Sequence, residues 1–170
     1  SASMPLTKVQ SNFQNKDIVN GRYDSFIRNW AKAAKAWGHP FFLRFDHEMN
    51  GTWYPWSEAR NGNRAGEFVR AWRHVRDIFD AVGATNVTWV WSPNVTTPGT
   101  LPLARLYPGD RYVDWVAMDG YNWGTTGNSP GCSTSRKHGR LPQNANIHGI
   151  DSYRLWMLAD SFAMTLRMAF

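Results

Sequence analysis

Two segments of the chain repeat apolar residues at the three- and four-residue steps of a helix. The first begins near Gly21 and ends at Trp37, before Gly38, and the second runs from Phe68 to Val82, before Gly83. The spacing predicts two amphipathic helices, each ended by a glycine. Residues 1–20 have no clear period, and we expect them to form a loop.

Three short runs rich in apolar and aromatic residues predict buried strands. They are PFFLRFD at 40–46, NVTWVWS at 86–92 and VDWVAMD at 113–119. Strands that alternate with helices indicate βαβ units and a parallel sheet, whose strands end at one edge. Polar and aromatic residues follow each strand, at 46–48, 92–94 and 119–123. This edge is where α/β folds build their sites.

The pattern is lost after Gly127. Residues 127–170 are polar and basic at first, and their closing segment suits a short helix but no fourth strand. We therefore divide the chain at 126 and expect an irregular tail beyond it. Three βα units cannot close an eight-stranded barrel, so the fold is either an open sheet or part of a larger barrel.

Composition narrows the function only slightly. Ten Trp in 170 residues suggest that some rings are flat surfaces for sugars or nucleobases. The net charge of +6 favours nucleic acid, but acidic and basic residues alternate along the predicted helices, so we expect no nucleic-acid partner. No apolar run approaches the roughly 20 residues of a membrane span, and no signal-peptide pattern opens the chain. The single Cys132 neither requires nor excludes export.

Glu48 is the first candidate for chemistry. It follows the first predicted strand and precedes an aromatic loop with Trp53, Tyr54 and Trp56. A carboxyl group walled by indole rings loses solvation of its charged form, which suits it to donate a proton near neutral pH. The alternative is a strand-end carboxylate paired with Arg44 or with a cation of the loop.

A metal site is the rival interpretation of His47 and Glu48. The zinc-protease signature HExxH needs a second His where Gly51 stands, so we expect no metal. Three matches to the glycosylation sequon begin at Asn50, Asn86 and Asn94. They are read as chance, because Asn is a common turn residue at strand ends.

The segment FFLRFDHEMNGTWYPWS at 41–57 closely resembles the acid/base region of glycoside hydrolase family 26, the β-mannanases and their relatives. TNVTWVWSPNV at 85–95 and VDWVAMDGYNWG at 113–124 are similar to the family's next two strands. The resemblance covers about Pro5 to Thr126. It implies a (β/α)8 barrel, of which this chain carries about strands four to six, and a secreted, monomeric, retaining endo-β-1,4-mannanase.

The resemblance also implies roles for single residues. Glu48 is the general acid/base, and His47 contacts the sugar near its 2-hydroxyl group. Trp53 lines the subsites around the scissile bond, and Tyr121 orients the nucleophile. Asn94 and Trp123 are further cleft residues. The resemblance implies no cofactor and no metal, and its partner is a mannan-type polysaccharide.

The chain departs from the family where the nucleophile is expected. The family has a Glu at the end of strand seven, but no Glu follows Glu67 here. We therefore expect a truncated chain, frame-shifted after Gly127 and inactive alone. Mixed-linkage β-glucanase, xylanase and a non-catalytic carbohydrate-binding remnant remain the alternative functions.

Overall fold

A computed structural model describes residues 14–119 and two short segments of the tail, 155–156 and 164–166. The helices are α1 (Asn15–Val19), α2 (Asp24–Trp37), α3 (Glu67–Val82) and α4 (Leu103–Leu106), with a 3₁₀ turn at Asp110–Tyr112. The strands are β1 (Phe41–Phe45), β2 (Val87–Trp91), β3 (Trp115–Ala117), β4 (Leu155–Trp156) and β5 (Met164–Leu166). None of these helices is long and apolar enough to cross a bilayer.

The two long helices and the first three strands confirm the sequence prediction. Two expectations are wrong. A short helix, α1, forms in the segment expected to be a loop, and two strands form in a tail expected to contain none. These elements are two to five residues long, which is too short to show a helical or alternating period.

All strand pairs are parallel, and the strand order is β4-β3-β2-β1-β5. Helix α3 connects β1 to β2, and the α4 segment connects β2 to β3. The strand ends are tied together beyond the sheet, where Asn94 bridges Asp119 and the Glu48 N–H donates to the Ser92 carbonyl over 2.7 Å. The polar residues predicted for one edge therefore do meet there as far as the described residues reach, to Asp119.

The apolar stripes of α2 and α3 cover one face of the sheet. Trp89 of β2 packs edge-on against Phe79, with ring centroids 5.1 Å apart, and against Trp72 at 6.0 Å. Trp72, Trp89 and Trp91 are at most 1% exposed. Three of the ten Trp thus serve the hydrophobic core, so the Trp count alone is a weak sign of a binding surface.

Asn86 fastens the amino-terminal end of the sheet to α2. Its side-chain Nδ2 donates to the carbonyls of Ala34 and His39, each over 2.9 Å. Ala34 lies in the last turn of α2, and its carbonyl also accepts from the N–H of the C-cap residue Gly38 over 3.2 Å. The sequon at Asn86 is therefore explained by a structural contact.

Candidate active site

Glu48 lies directly beyond β1, in a backbone conformation that side chains rarely adopt. Its φ is +54°, in the left-handed region, and that of Asp46 is +45°. Non-glycine residues in this region carry strain, and such residues cluster at functional sites. The carboxyl end of β1 thus turns sharply, and Glu48 is 9% exposed there.

Each carboxylate oxygen of Glu48 accepts one hydrogen bond from a neutral donor. The indole Nε1 of Trp53 donates to Oε2 over 2.7 Å, and the amide Nδ2 of Asn94 donates to Oε1 over 2.8 Å. The structure therefore brings together three of the six predicted site residues. Asn94 was expected to be a residue of the cleft, and the structure shows that its amide contacts the carboxylate of Glu48 directly.

Arg44 does not pair with Glu48. The interpretation of Glu48 as a strand-end carboxylate paired with Arg44 is therefore wrong. The Arg44 Nη1 instead contacts both oxygens of Asp119, at 2.6 and 2.8 Å. The hydroxyl of Ser92 donates to Asp119 Oδ1 over 3.0 Å. This ion pair spans from β1 to the end of β3 across β2, which lies between them.

Burial dominates the electrostatics of Asp119. Loss of solvation raises the pKa of its carboxyl group, and the nearby charge of Glu48 adds to the rise. The guanidinium of Arg44 and the hydroxyl of Ser92 act in the opposite direction without cancelling it.

His47 is enclosed by the aromatic loop. It is 6% exposed, and its ring lies 5.0 Å from Tyr54 and 5.8 Å from Trp56. Those two rings stack on each other at 4.3 Å and 14°, and the Trp56 Nε1 donates to the His47 carbonyl over 2.8 Å. His47 is thus adjacent to Glu48 in space as well as in sequence, while its contact with sugar stays a prediction.

Gly51 makes room for the ring of Trp53. A Cβ at position 51 would overlap that ring, closer than two non-bonded carbons can approach. The indole therefore lies against a backbone without a side chain, in the position from which its Nε1 reaches Glu48. The sequence gives this glycine no special signal, because Asn-Gly reads as an ordinary turn.

The loop between β1 and α3 is held by contacts that the sequence did not reveal. Asn63 donates to the carbonyls of Pro55 and Ser57 over 2.7 and 3.0 Å, and its Oδ1 accepts from the backbone of Asn15. Asn15 in turn donates to the Trp56 carbonyl over 2.8 Å. Helix α1 therefore fixes the aromatic loop although it lies more than 40 residues away in the sequence.

Glu58 also anchors the loop between β1 and α3. Its side chain is fully buried, and its Oε2 accepts from Arg105 Nε and Nη2 at 3.0 and 2.7 Å. Its Oε1 accepts from the backbone of Phe68 in the first turn of α3 over 3.2 Å. Among the described residues, no group of three His, Cys, Asp or Glu side chains could hold a metal ion.

Tyr121 and Trp123 lie outside the described residues, so their predicted roles are neither supported nor opposed. The same is true of the division of the chain at residue 126.

The comparisons with known proteins agree with this geometry. The family model of glycosyl hydrolase family 26 matches residues 6–131. The chain belongs to glycosyl hydrolase family 26. Endoglucanase H of Acetivibrio thermocellus is 46% identical over 117 residues, and the mannan endo-1,4-beta-mannosidase A and B of Caldalkalibacillus mannanilyticus is 38% identical over 81. These alignments cover 67% and 45% of the chain.

A solved structure of the same family, GH26A from Muricauda sp. MAR_2010_75, is similar to 62% of the chain with a TM-score of 0.50 and 26% identity. The chain spans 38% of that protein and only 13% and 15% of the two curated relatives. A partial α/β unit of a (β/α)8 barrel family is therefore established. Its assignment to barrel strands four to six stays a prediction.

Asp46 gives this edge a testable pH dependence. It is 7% exposed, and burial raises its pKa from 3.8 to about 8. Between about pH 4 and pH 8 the folded protein therefore holds a proton that the unfolded chain has released. The free energy of unfolding must fall as the pH rises through this window, because the folded state binds more protons there.

We expect Asp46→Asn to remove this loss of stability, since an amide cannot titrate. Urea unfolding of the chain and the variant at about pH 5 and pH 8 measures the effect. The variant gains stability relative to the unmodified chain as the pH rises, by up to roughly 1.4 kcal/mol for each unit of raised pKa. A stability difference that is the same at both values contradicts the assignment.

Proposed function

We propose that this segment supplies the acid/base half of a retaining endo-β-glycosidase. The observation that carries the proposal is the state of Glu48, whose two oxygens each accept one bond from a neutral donor at the carboxyl edge of a parallel sheet. In this mechanism the group protonates the departing glycosidic oxygen and then removes a proton from water. Both steps require a carboxyl group that exchanges its proton.

The pairing of the charged side chains near Glu48 supports that role. A cation bonded to Glu48 would hold it ionised, and Arg44, the cation expected from the sequence as its partner, is instead bound to Asp119. Trp53 and Asn94 instead donate to the two oxygens of Glu48 from uncharged groups. Glu48 is therefore able to serve in both steps.

The second carboxylate of a retaining enzyme stands about 5 to 5.5 Å from the first. Two other carboxyl groups follow the described strand ends, but neither suits the nucleophile. Asp119 is bound through both oxygens by Arg44, and Asp46 is buried with a raised pKa. We propose that the nucleophile belongs to a part of the full-length enzyme beyond residues 14–119.

The substrate proposed first is a β-1,4-linked or mixed-linkage glucan. The support is the relative with the higher identity of the two reported, which is named as an endoglucanase. β-Mannan, which the sequence resemblance favoured, is the second candidate, supported by the mannosidase relative. A polymer of either kind is too large to enter a cell, so we propose an extracellular enzyme.

The test is hydrolysis by the full-length enzyme that contains this segment. We expect reducing ends from mixed-linkage β-glucan above those from mannan and xylan at equal mass concentration. Proton NMR of the first products should show the β-anomer, as retention requires. Release of the α-anomer contradicts the mechanism, and a preference for mannan reverses the order of the substrates. Affinity electrophoresis of the 170-residue chain in the same glycans detects binding without cleavage.

A further inference from the structure

Asn50 is completely buried, and its side-chain amide serves a single neighbour. Its Oδ1 accepts from the backbone N–H of Asn94 over 2.8 Å, and its Nδ2 donates to the backbone carbonyl of Asn94 over 2.9 Å. The side chain thus bonds both polar backbone groups of one residue, as a neighbouring strand would. Its own carbonyl accepts from Leu101 N–H over 2.8 Å.

The other side of Asn94 is held by the end of β3. Asn94 bridges Asp119 in parallel, with the Val95 N–H donating to the Asp119 carbonyl and the Asp119 N–H donating to the Pro93 carbonyl. The backbone of Asn94 therefore lies between a side-chain clamp and a short piece of sheet. The side chain of Asn94 takes no part in these backbone contacts, and its Nδ2 donates to Glu48 Oε1.

We infer that Asn50 is a positioning residue, which fixes the backbone of Asn94 so that the Asn94 amide donates to Glu48. The inference rests on the proposed acid/base role of Glu48. A donor aimed at a carboxylate stabilises the ionised form relative to the protonated one. Asn50 therefore orients a donor to Glu48 without contacting Glu48 itself, although 44 positions separate it from Asn94 in the sequence.

The chemistry of the clamp requires an amide. Aspartate at position 50 differs by one group and keeps the acceptor for Asn94 N–H, but it sets an oxygen against the Asn94 carbonyl. Alanine leaves both backbone groups of Asn94 without this partner. Both changes release Asn94 while leaving Glu48 and Trp53 intact.

The test is the pH dependence of kcat/KM in the full-length enzyme for Asn50→Ala, Asn94→Ala and the double variant. We expect each single variant to lower kcat about ten- to a hundredfold, as losing a hydrogen bond to a charged group does. The basic limb of the profile should move upward relative to that of the unmodified enzyme, since removing a donor to the carboxylate favours the protonated acid. The double variant should be no worse than Asn94→Ala, because Asn50 acts through Asn94.

Asn86→Ala is the matched control. Its amide also bonds backbone groups, the carbonyls of Ala34 and His39, but it lies at the opposite end of the strands, so its loss lowers the melting temperature and leaves the basic limb in place. Asn50→Asp is the second variant if Asn50→Ala does not fold, and the same shift of the limb is expected from it. Loss of stability with an unmoved limb in the Asn50 variants, or additive losses in the double variant, overturns the inference. Undiminished turnover by a Glu48 variant, measured separately, is the failure of the proposed function instead.

Discussion

Replacing Glu48 with Gln lowers kcat on an unactivated β-glycan about 10²- to 10⁴-fold in the full-length enzyme. Glutamine keeps the size of the side chain and accepts the Trp53 or Asn94 bond with its oxygen, but it cannot donate a proton to the leaving group. The measurement is the release of reducing ends from the best substrate of the panel. Turnover by Glu48→Gln within about threefold of the unmodified enzyme contradicts the acid/base role, since general acid catalysis contributes far more.

An activated aryl glycoside separates loss of the acid from loss of the fold. Its leaving group departs without protonation, so Glu48→Ala should form the glycosyl-enzyme intermediate and then stall. Azide, which needs no general base, should restore turnover by attacking that intermediate. Glu67→Gln is the control, because Glu67 is also a buried carboxylate but bonds the backbone of Arg64 at the start of α3. Its turnover should neither fall comparably nor respond to azide.

The architecture was predictable because the two long helices repeat apolar residues and the first three strands lie in compact apolar and aromatic runs. Helices α2 and α3 present apolar residues to one face over fourteen and sixteen residues, and that period is visible in the sequence. Helix α1, with five residues, is too short to repeat, and β4 and β5, with two and three, are shorter than the seven-residue runs that indicated β1 to β3, which is why these elements were missed. The edge on which polar residues gather followed from the parallel arrangement alone.

The site was predictable only where chemistry is local in sequence. Glu48 and Trp53 are five residues apart, and both lie in the segment at 41–57 that resembles the family's acid/base region. The resemblance therefore predicts a role for each. Asn94 lies at the end of the next strand, so topology placed it near Glu48. Asn50 and Glu58 carry no such signal, because each acts through a hydrogen bond to a residue more than 40 positions away. A side-chain amide that clamps a distant backbone leaves no trace in spacing or composition.

The Trp residues also show that residue type alone does not reveal a residue's role. A Trp-rich chain suggests stacking on sugars, yet Trp72 and Trp89 are core residues, and Trp56 donates to the main chain and stacks on Tyr54. Residue type alone therefore does not separate binding rings from core rings. The distinction lies in which partner each indole N–H finds, and within residues 14–119 Trp53 is the one bonded to the candidate acid.

Arg105→Met destabilises the fold by about 3 kcal/mol, because it removes one partner of a buried ion pair. The Glu58 carboxylate is fully buried, and Arg105 supplies its two strongest hydrogen bonds. Removing one partner of a buried pair costs roughly 3 to 5 kcal/mol, because the other charge is left without compensation. The lower value applies here, since Arg105 is 42% exposed and water reaches the vacated side. Methionine keeps the apolar stem, so little packing is lost.

Urea unfolding of the full-length enzyme, with and without Arg105→Met, measures this cost. Arg70→Met is the matched control, because Arg70 is 60% exposed and pairs with Glu67 at 4.0 Å. An exposed pair of that kind contributes at most about 1 kcal/mol. The double variant Glu58→Gln with Arg105→Met should recover part of the loss, since no buried charge remains. Equal losses in Arg105→Met and Arg70→Met would mean that Glu58 is solvated and that the loop carrying Trp53 is anchored by Asn63 and Asn15 alone.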